Sequence, residues 1–165
     1  MKFRLLFSAL VLCISVTVFS QTTNPKIYFS TGIVHQIVAI SSDAPSYNFS
    51  SYYQIGFPTC VNVWKTSTVG FSMQFIPTIR SEKGISKMSN FLFHPGIMLA
   101  LGKGYTFIGR TAFETSGRYG ITPIFSKTII KGKYSNVYVA TPLPLRFGND
   151  KPFSFSPSFE FGITF

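Results

Sequence analysis

Residues 153–165 alternate without interruption. Phe153, Phe155, Pro157, Phe159, Phe161, Ile163 and Phe165 take the odd positions, and Ser154, Ser156, Ser158, Glu160, Gly162 and Thr164 the even ones. Successive strand side chains point to opposite faces, so the segment reads as one β-strand with an oily face and a polar face. The oily face has no lysine or glutamate to guard it, and an uncovered edge strand of this kind aggregates in water. The expected cover is lipid, with both strand edges paired in a closed barrel.

The same two-residue period recurs between turn signals. It predicts strands over 26–40, 52–64, 69–80, 88–101, 104–115, 119–131, 134–147 and 153–165. In the third, Val69, Phe71, Met73, Phe75, Pro77 and Ile79 oppose Gly70, Ser72, Gln74, Thr78 and Arg80, with Ile76 out of phase. The faces of the first and sixth are less clean. Helical periodicity is absent after residue 20. The expected fold is therefore all-β, an eight-stranded antiparallel up-and-down transmembrane barrel. Each strand is long enough for the roughly 9–11 residues of a tilted span.

Export is expected from the other end of the chain. Met1, Lys2, Phe3 and Arg4 form a short basic region, an apolar run follows to Phe19, and Ser20 precedes Gln21. That run is shorter than the roughly 20 residues of a spanning helix, so residues 1–20 read as a cleaved signal peptide and 21–165 as the barrel domain. Cys60 is the cysteine left in that domain, which excludes an internal disulfide. Without Lys2 and Arg4 the formal charge of +10 falls to +8. In an exported chain this favours contact with anionic headgroups over nucleic acid. Charged residues make up 12% and aromatics 17%. A water-soluble domain carries about twice that share of charge.

Connections at 65–68, 102–104 and 131–133 are tight and basic. Those at 41–51, 81–87, 115–118 and 148–152 form the opposite set, which places the tight turns on the periplasmic side. Tyr28, Trp64, Tyr105, Tyr134 and Phe165 are expected in one aromatic girdle, and Tyr52, Tyr53, Tyr119, Phe147 and Phe153 in the other. Pro58, Pro77, Pro95, Pro123, Pro142, Pro144 and Pro157 fall inside proposed strands, where each removes a ladder donor. Bulges or shifted strand ends are the expected accommodation.

Eight strands enclose a space that side chains can fill. The polar network expected there comprises Arg80, Arg110, Glu114, Arg146 and Glu160, with His94 beside it. Arg110 and Glu160 fall near mid-height and are expected to pair, because an unpaired charge in that place is costly. Arg80, Glu114 and Arg146 fall nearer the outer mouth. A sharper reading gathers Arg80, Arg118 and Arg146 into a small anion site. No catalytic, cofactor or metal residues are assigned, since two histidines and scattered acids give no ligand spacing.

His94-Pro95-Gly96, the run Arg110 to Gly120, the run Pro142 to Asp150 and the terminal FGITF resemble the small outer-membrane β-barrel proteins of Bacteroidota. The last segment also resembles the signal by which such barrels reach their assembly machinery. Ser158, Ile163 and Phe165 match its polar, hydrophobic and closing aromatic positions, while Glu160 stands where that pattern prefers glycine. With the oily strand faces, the export segment and the narrow eight-stranded lumen, the expected reading is an outer-membrane protein with a structural or protein-interaction role and no open pore. Its implied partners are outer-membrane lipid, the assembly machinery and a larger outer-membrane complex, with residues 41–51 as the contact candidate. Two alternatives stand beside this. One is an outer-membrane lipid hydrolase or acyltransferase using His94, a serine and Glu114. The other is a lipocalin-like binder of apolar ligands with its phenylalanines turned inward.

Overall fold

Small and polar residues take the inward positions of the strands, large apolar ones the outward positions, and the sheet closes around the polar side. The computed structural model describes residues 25–42 and 44–165, so the expected signal peptide lies outside the described residues. Eight antiparallel strands build the barrel. They are β1 (Lys26–Gln36, continued by Val38–Ser41), β2 (Tyr53–Gly56 and Thr59–Trp64), β3 (Val69–Glu82) and β4 (Ile85–Gly102). The rest are β5 (Tyr105–Glu114), β6 (Tyr119–Lys131), β7 (Asn136–Pro142 and Leu145–Phe147) and β8 (Ser154–Phe155 and Ser158–Thr164). Each pairs with the next, and β8 closes on β1 from Ser30 opposite Thr164 to Gln36 opposite Ser158. Among the described residues there is no helix.

Tight connections at 65–68, 103–104 and 132–135 gather at one end, the tight-turn end. At the other, the loop end, 42–52 is the long connection. The link expected over 81–87 is only the pair Lys83–Gly84, both at positive φ (52° and 78°). Such a turn matches the twist of a hairpin, so β3 and β4 keep pairing to Glu82 opposite Ile85. The ladder between β4 and β5 ends at Leu92 opposite Glu114, with one more backbone bond from Thr115 to Phe91 (3.0 Å), so the first residues of β4 rise past β5 as a ribbon.

The prolines are absorbed mainly without bulges. In an antiparallel strand a residue's N–H and C=O both face the same neighbour, so a proline in a bonded pair forfeits one bond of two. The remaining bond runs to the proline carbonyl. Gly32 donates to Pro58 (3.1 Å), Phe57 to Pro77 (3.0 Å), Leu143 to Pro123 (2.9 Å), Ser156 to Pro144 (3.0 Å) and Ile37 to Pro157 (3.0 Å). At Pro95 the ladder to β5 lapses for two residues and resumes in unchanged register at Gly96. The expected slip in register occurs beside Pro157. Gln36 faces Ser158, but Ile40 faces Phe155. A one-residue slip exchanges the faces of a strand. Val34 and Gln36 point inward before it, Ala39 and Ser41 after it, which is why β1 lacks clean alternation.

Inside the barrel, Ile76, Leu92 and Ala112 form a small buried apolar cluster against Val34. Ile76 breaks the pattern of β3 because it belongs to this cluster. Gly56 makes the room, since a Cβ there would stand 2.7 Å from Val34 Cγ1 and 2.8 Å from Ile76 Cγ2.

Candidate functional site

The middle of the lumen is crossed by a continuous hydrogen-bonded chain. Gln74 on β3 meets His94 on β4 (Oε1 to Nδ1, 2.9 Å), and His94 Nε2 meets Thr122 Oγ1 on β6 (2.9 Å). Arg146 on β7 donates from Nη1 to the same Thr122 hydroxyl (2.9 Å) and from Nε to Glu114 on β5 (2.7 Å). Ser116 completes it by donating to the second Glu114 oxygen at 2.9 Å. For a neutral imidazole the donor count assigns the roles. A glutamine carbonyl only accepts, so His94 carries its proton on Nδ1, and Thr122 gives its proton to Nε2 while accepting from Arg146. Inward alternation puts the strand residues of this chain in the lumen, where the register of their strands brings them together, and Ser116 reaches in from the turn at 115–118.

Two charge pairings are present among the described residues, Arg146–Glu114 (2.7 Å) and Arg80–Glu82 (3.0 Å). The expected Arg110–Glu160 pair is not made. Glu160 Oε1 instead accepts from the Tyr138 hydroxyl at 2.8 Å, and Arg110 Nη1 donates to the His94 carbonyl at 3.1 Å. The reason is lateral reach. Tyr138 lies on the strand next to Glu160, whereas Arg110 lies on β5, across the lumen. Tyr138 spans the gap because Gly162 lies beneath its ring; a Cβ at 162 would meet Tyr138 Cζ at 2.6 Å and the Thr31 carbonyl at 2.5 Å. Gly162→Ala is therefore expected to cost about 1–3 kcal/mol. A denaturant titration of the refolded barrel measures this, and wild-type stability would contradict the packing.

The proposed three-arginine anion site also does not assemble. Arg80 pairs with Glu82 and stacks over the Tyr52 ring, 3.9 Å from its centroid. Arg146 holds Glu114, and Arg118 donates to the carbonyls of Arg146 (3.1 Å) and Pro152 (2.9 Å). The imagined triad is likewise absent, because both His94 ring nitrogens are held by Gln74 and Thr122 and Glu114 is held by Arg146 and Ser116. Asn48 sits in an Asn-X-Ser pattern, yet it is buried with its amide clamped to the Gln54 backbone (2.7 and 2.8 Å).

Above and below the waist the lumen opens into two cavities. The one at the loop end measures about 660 Å³ and is lined by Tyr52, Arg80, Glu114 and Arg118. The one at the tight-turn end measures about 450 Å³ and is lined by Tyr28, Trp64, Met98, Arg110, Tyr138 and Glu160. Ile124 and Glu160 line both. Three aromatics expected in the outer girdles thus turn inward: Trp64 and Tyr28 face one cavity, Tyr52 the other. Their even-numbered positions, in step with Asn62 and Ser30, carried that signal. Of the expected assembly-signal residues, Ser158 is buried in the lumen, while Ile163 and Phe165 are exposed outside. Phe165 exchanges two backbone bonds with Phe29, both 2.8 Å. Among the described residues no three His, Cys, Asp or Glu side chains group as a metal site.

Comparison with family models, with curated proteins and with solved structures found no match to this chain.

Proposed function

We propose that this chain is an integral outer-membrane β-barrel with a structural or protein-interaction role, of the kind its sequence resembles among Bacteroidota. The observation that carries the reading is the inversion of the barrel's faces. Phe29, Phe71, Phe125, Phe159 and Phe161 are 44–54% exposed, whereas Ser72, Gln74, His94, Thr122 and Glu160 are buried. Monomeric soluble proteins rarely expose contiguous apolar surface beyond a few hundred Å². Here such surface runs around the cylinder, and between its rims the outward positions of the described strands hold no Asp, Glu, Lys or Arg. A carrier of apolar ligands needs the opposite faces.

Charge at the rims supports the same reading. The tight-turn end carries Lys26, Lys65, Lys103, Lys127, Lys131 and Lys133 and, among the described residues, no acidic side chain. Anionic phospholipid headgroups are the natural counterpart of that ring. The ribbon above β5 and the loop at 42–52, with exposed Ile85, Met88 and Phe49, supply the surface for a protein partner. The crossed waist fits a barrel that is not an open pore.

Expression of the chain in a Gram-negative host followed by carbonate washing of the membranes tests this. The protein is expected to stay in the outer-membrane fraction, to need detergent for monodispersity, and to show no steady conductance in a planar bilayer. Release into the wash as a monodisperse species would overturn the membrane reading, and stable large conductance steps would overturn the closed lumen.

A further inference from the structure

The cavity at the tight-turn end contains two opposite charges that do not meet. Arg110 is 4% exposed; its Nε has no partner, and no carboxylate is within 4.0 Å. Glu160, also 4% exposed, is satisfied on one oxygen by Tyr138. A buried guanidinium with an unmade bond is costly, and a carboxylate is the group whose planar fork matches it. The walls are two-sided. Met98, Ile108 and Ile124 are apolar, while Ser30 and Asn62 opposite them are hydrogen-bonded to each other (3.0 Å). The volume of about 450 Å³ is within the range of small-molecule sites.

We propose that this cavity binds a small zwitterion with an apolar body. Its carboxylate sits on Arg110, its ammonium on Glu160, and its hydrocarbon against Met98, Ile108 and Ile124. A simple anion would lie in the field of Glu160 and a simple cation in that of Arg110; a molecule carrying both charges satisfies each and is selected over either. The site goes beyond a structural role, and it stands whether or not the barrel resides in a membrane.

Trp64 is the chain's one tryptophan and lines this cavity, so its emission reports occupancy without a label. Full-length barrel refolded in detergent is titrated with L-leucine and dileucine, and with the one-charge analogues 4-methylpentanoate and leucinamide. At least one zwitterion is expected to give a saturable change, with both analogues at least about tenfold weaker. Arg110→Gln is expected to lose the response. Ser126→Phe, which keeps both charges and fills the cavity, is expected to lose it too. The proposal is overturned by no saturable change up to about 20 mM, by analogues that match the zwitterions, or by an unaltered response in Ser126→Phe. Should Arg110→Gln fail to refold, the analogue series and Ser126→Phe decide the matter.

Discussion

Arg146→Met is expected to destabilise the barrel by about 3–5 kcal/mol, the usual cost of removing one member of a buried ion pair. Arg146 and Glu114 are 2.7 Å apart with side chains only 7% and 13% exposed. Removing the guanidinium strands the carboxylate and also leaves Thr122 and the carbonyls of Ile121 and Leu145 without their donor. Glu114→Gln is expected to cost less, because an amide can still accept from Arg146. The double variant Glu114→Gln/Arg146→Met is expected to recover part of the loss, since the stranded charge is gone. Guanidinium unfolding of the four proteins gives the coupling directly. Additive losses would show that the pair does not hold the waist together.

The second large effect lies on the outside. Phe161 is near mid-height on β8 and exposed. In a bilayer, Phe161→Arg is expected to cost about 2–4 kcal/mol for the charge alone, and Phe165→Arg at the rim about 0–1 kcal/mol. The gradient between these two positions is the informative quantity. On a barrel facing water the same substitution removes an exposed phenylalanine and is close to neutral. Unfolding from lipid vesicles measures both variants, and equal small effects would contradict a lipid-facing exterior.

The eight strands and their faces were legible because one physical rule repeats along the chain. Most inward positions are occupied by something small or polar, with Leu92, Met98, Ile108 and Ile124 among the apolar departures, and alternation marks them. Even the exception at Ile76 follows the phase of its strand and has a partner in the lumen. The height of Glu114 and Arg146, counted from their turns, also placed them together near the loop end, where they pair. What alternation does not convey is lateral position around a cylinder. Arg110 and Glu160 share a height and a cavity, but Tyr138 is Glu160's neighbour on the adjacent strand, and the nearer group wins. The relay through Gln74, His94 and Thr122 was hidden for the same reason. Each residue reads as an unremarkable polar position, and only the register of β3, β4 and β6 brings them into one chain. The prolines were hard to place because sequence shows the missing donor but not the direction in which it points. In five of the seven cases a neighbouring amide still reaches the proline carbonyl.

Tryptophan quenching by brominated acyl chains gives the most direct measurement of what surrounds the barrel. Trp64 faces the lumen, and Phe161→Trp in a Trp64→Phe background places the single indole on the exterior. In vesicles of brominated phosphatidylcholine the exterior indole is expected to be strongly quenched and Trp64 to keep most of its emission. Equal quenching at the two positions, or strong quenching of Trp64 alone, would contradict a barrel with hydrocarbon outside and a polar lumen within.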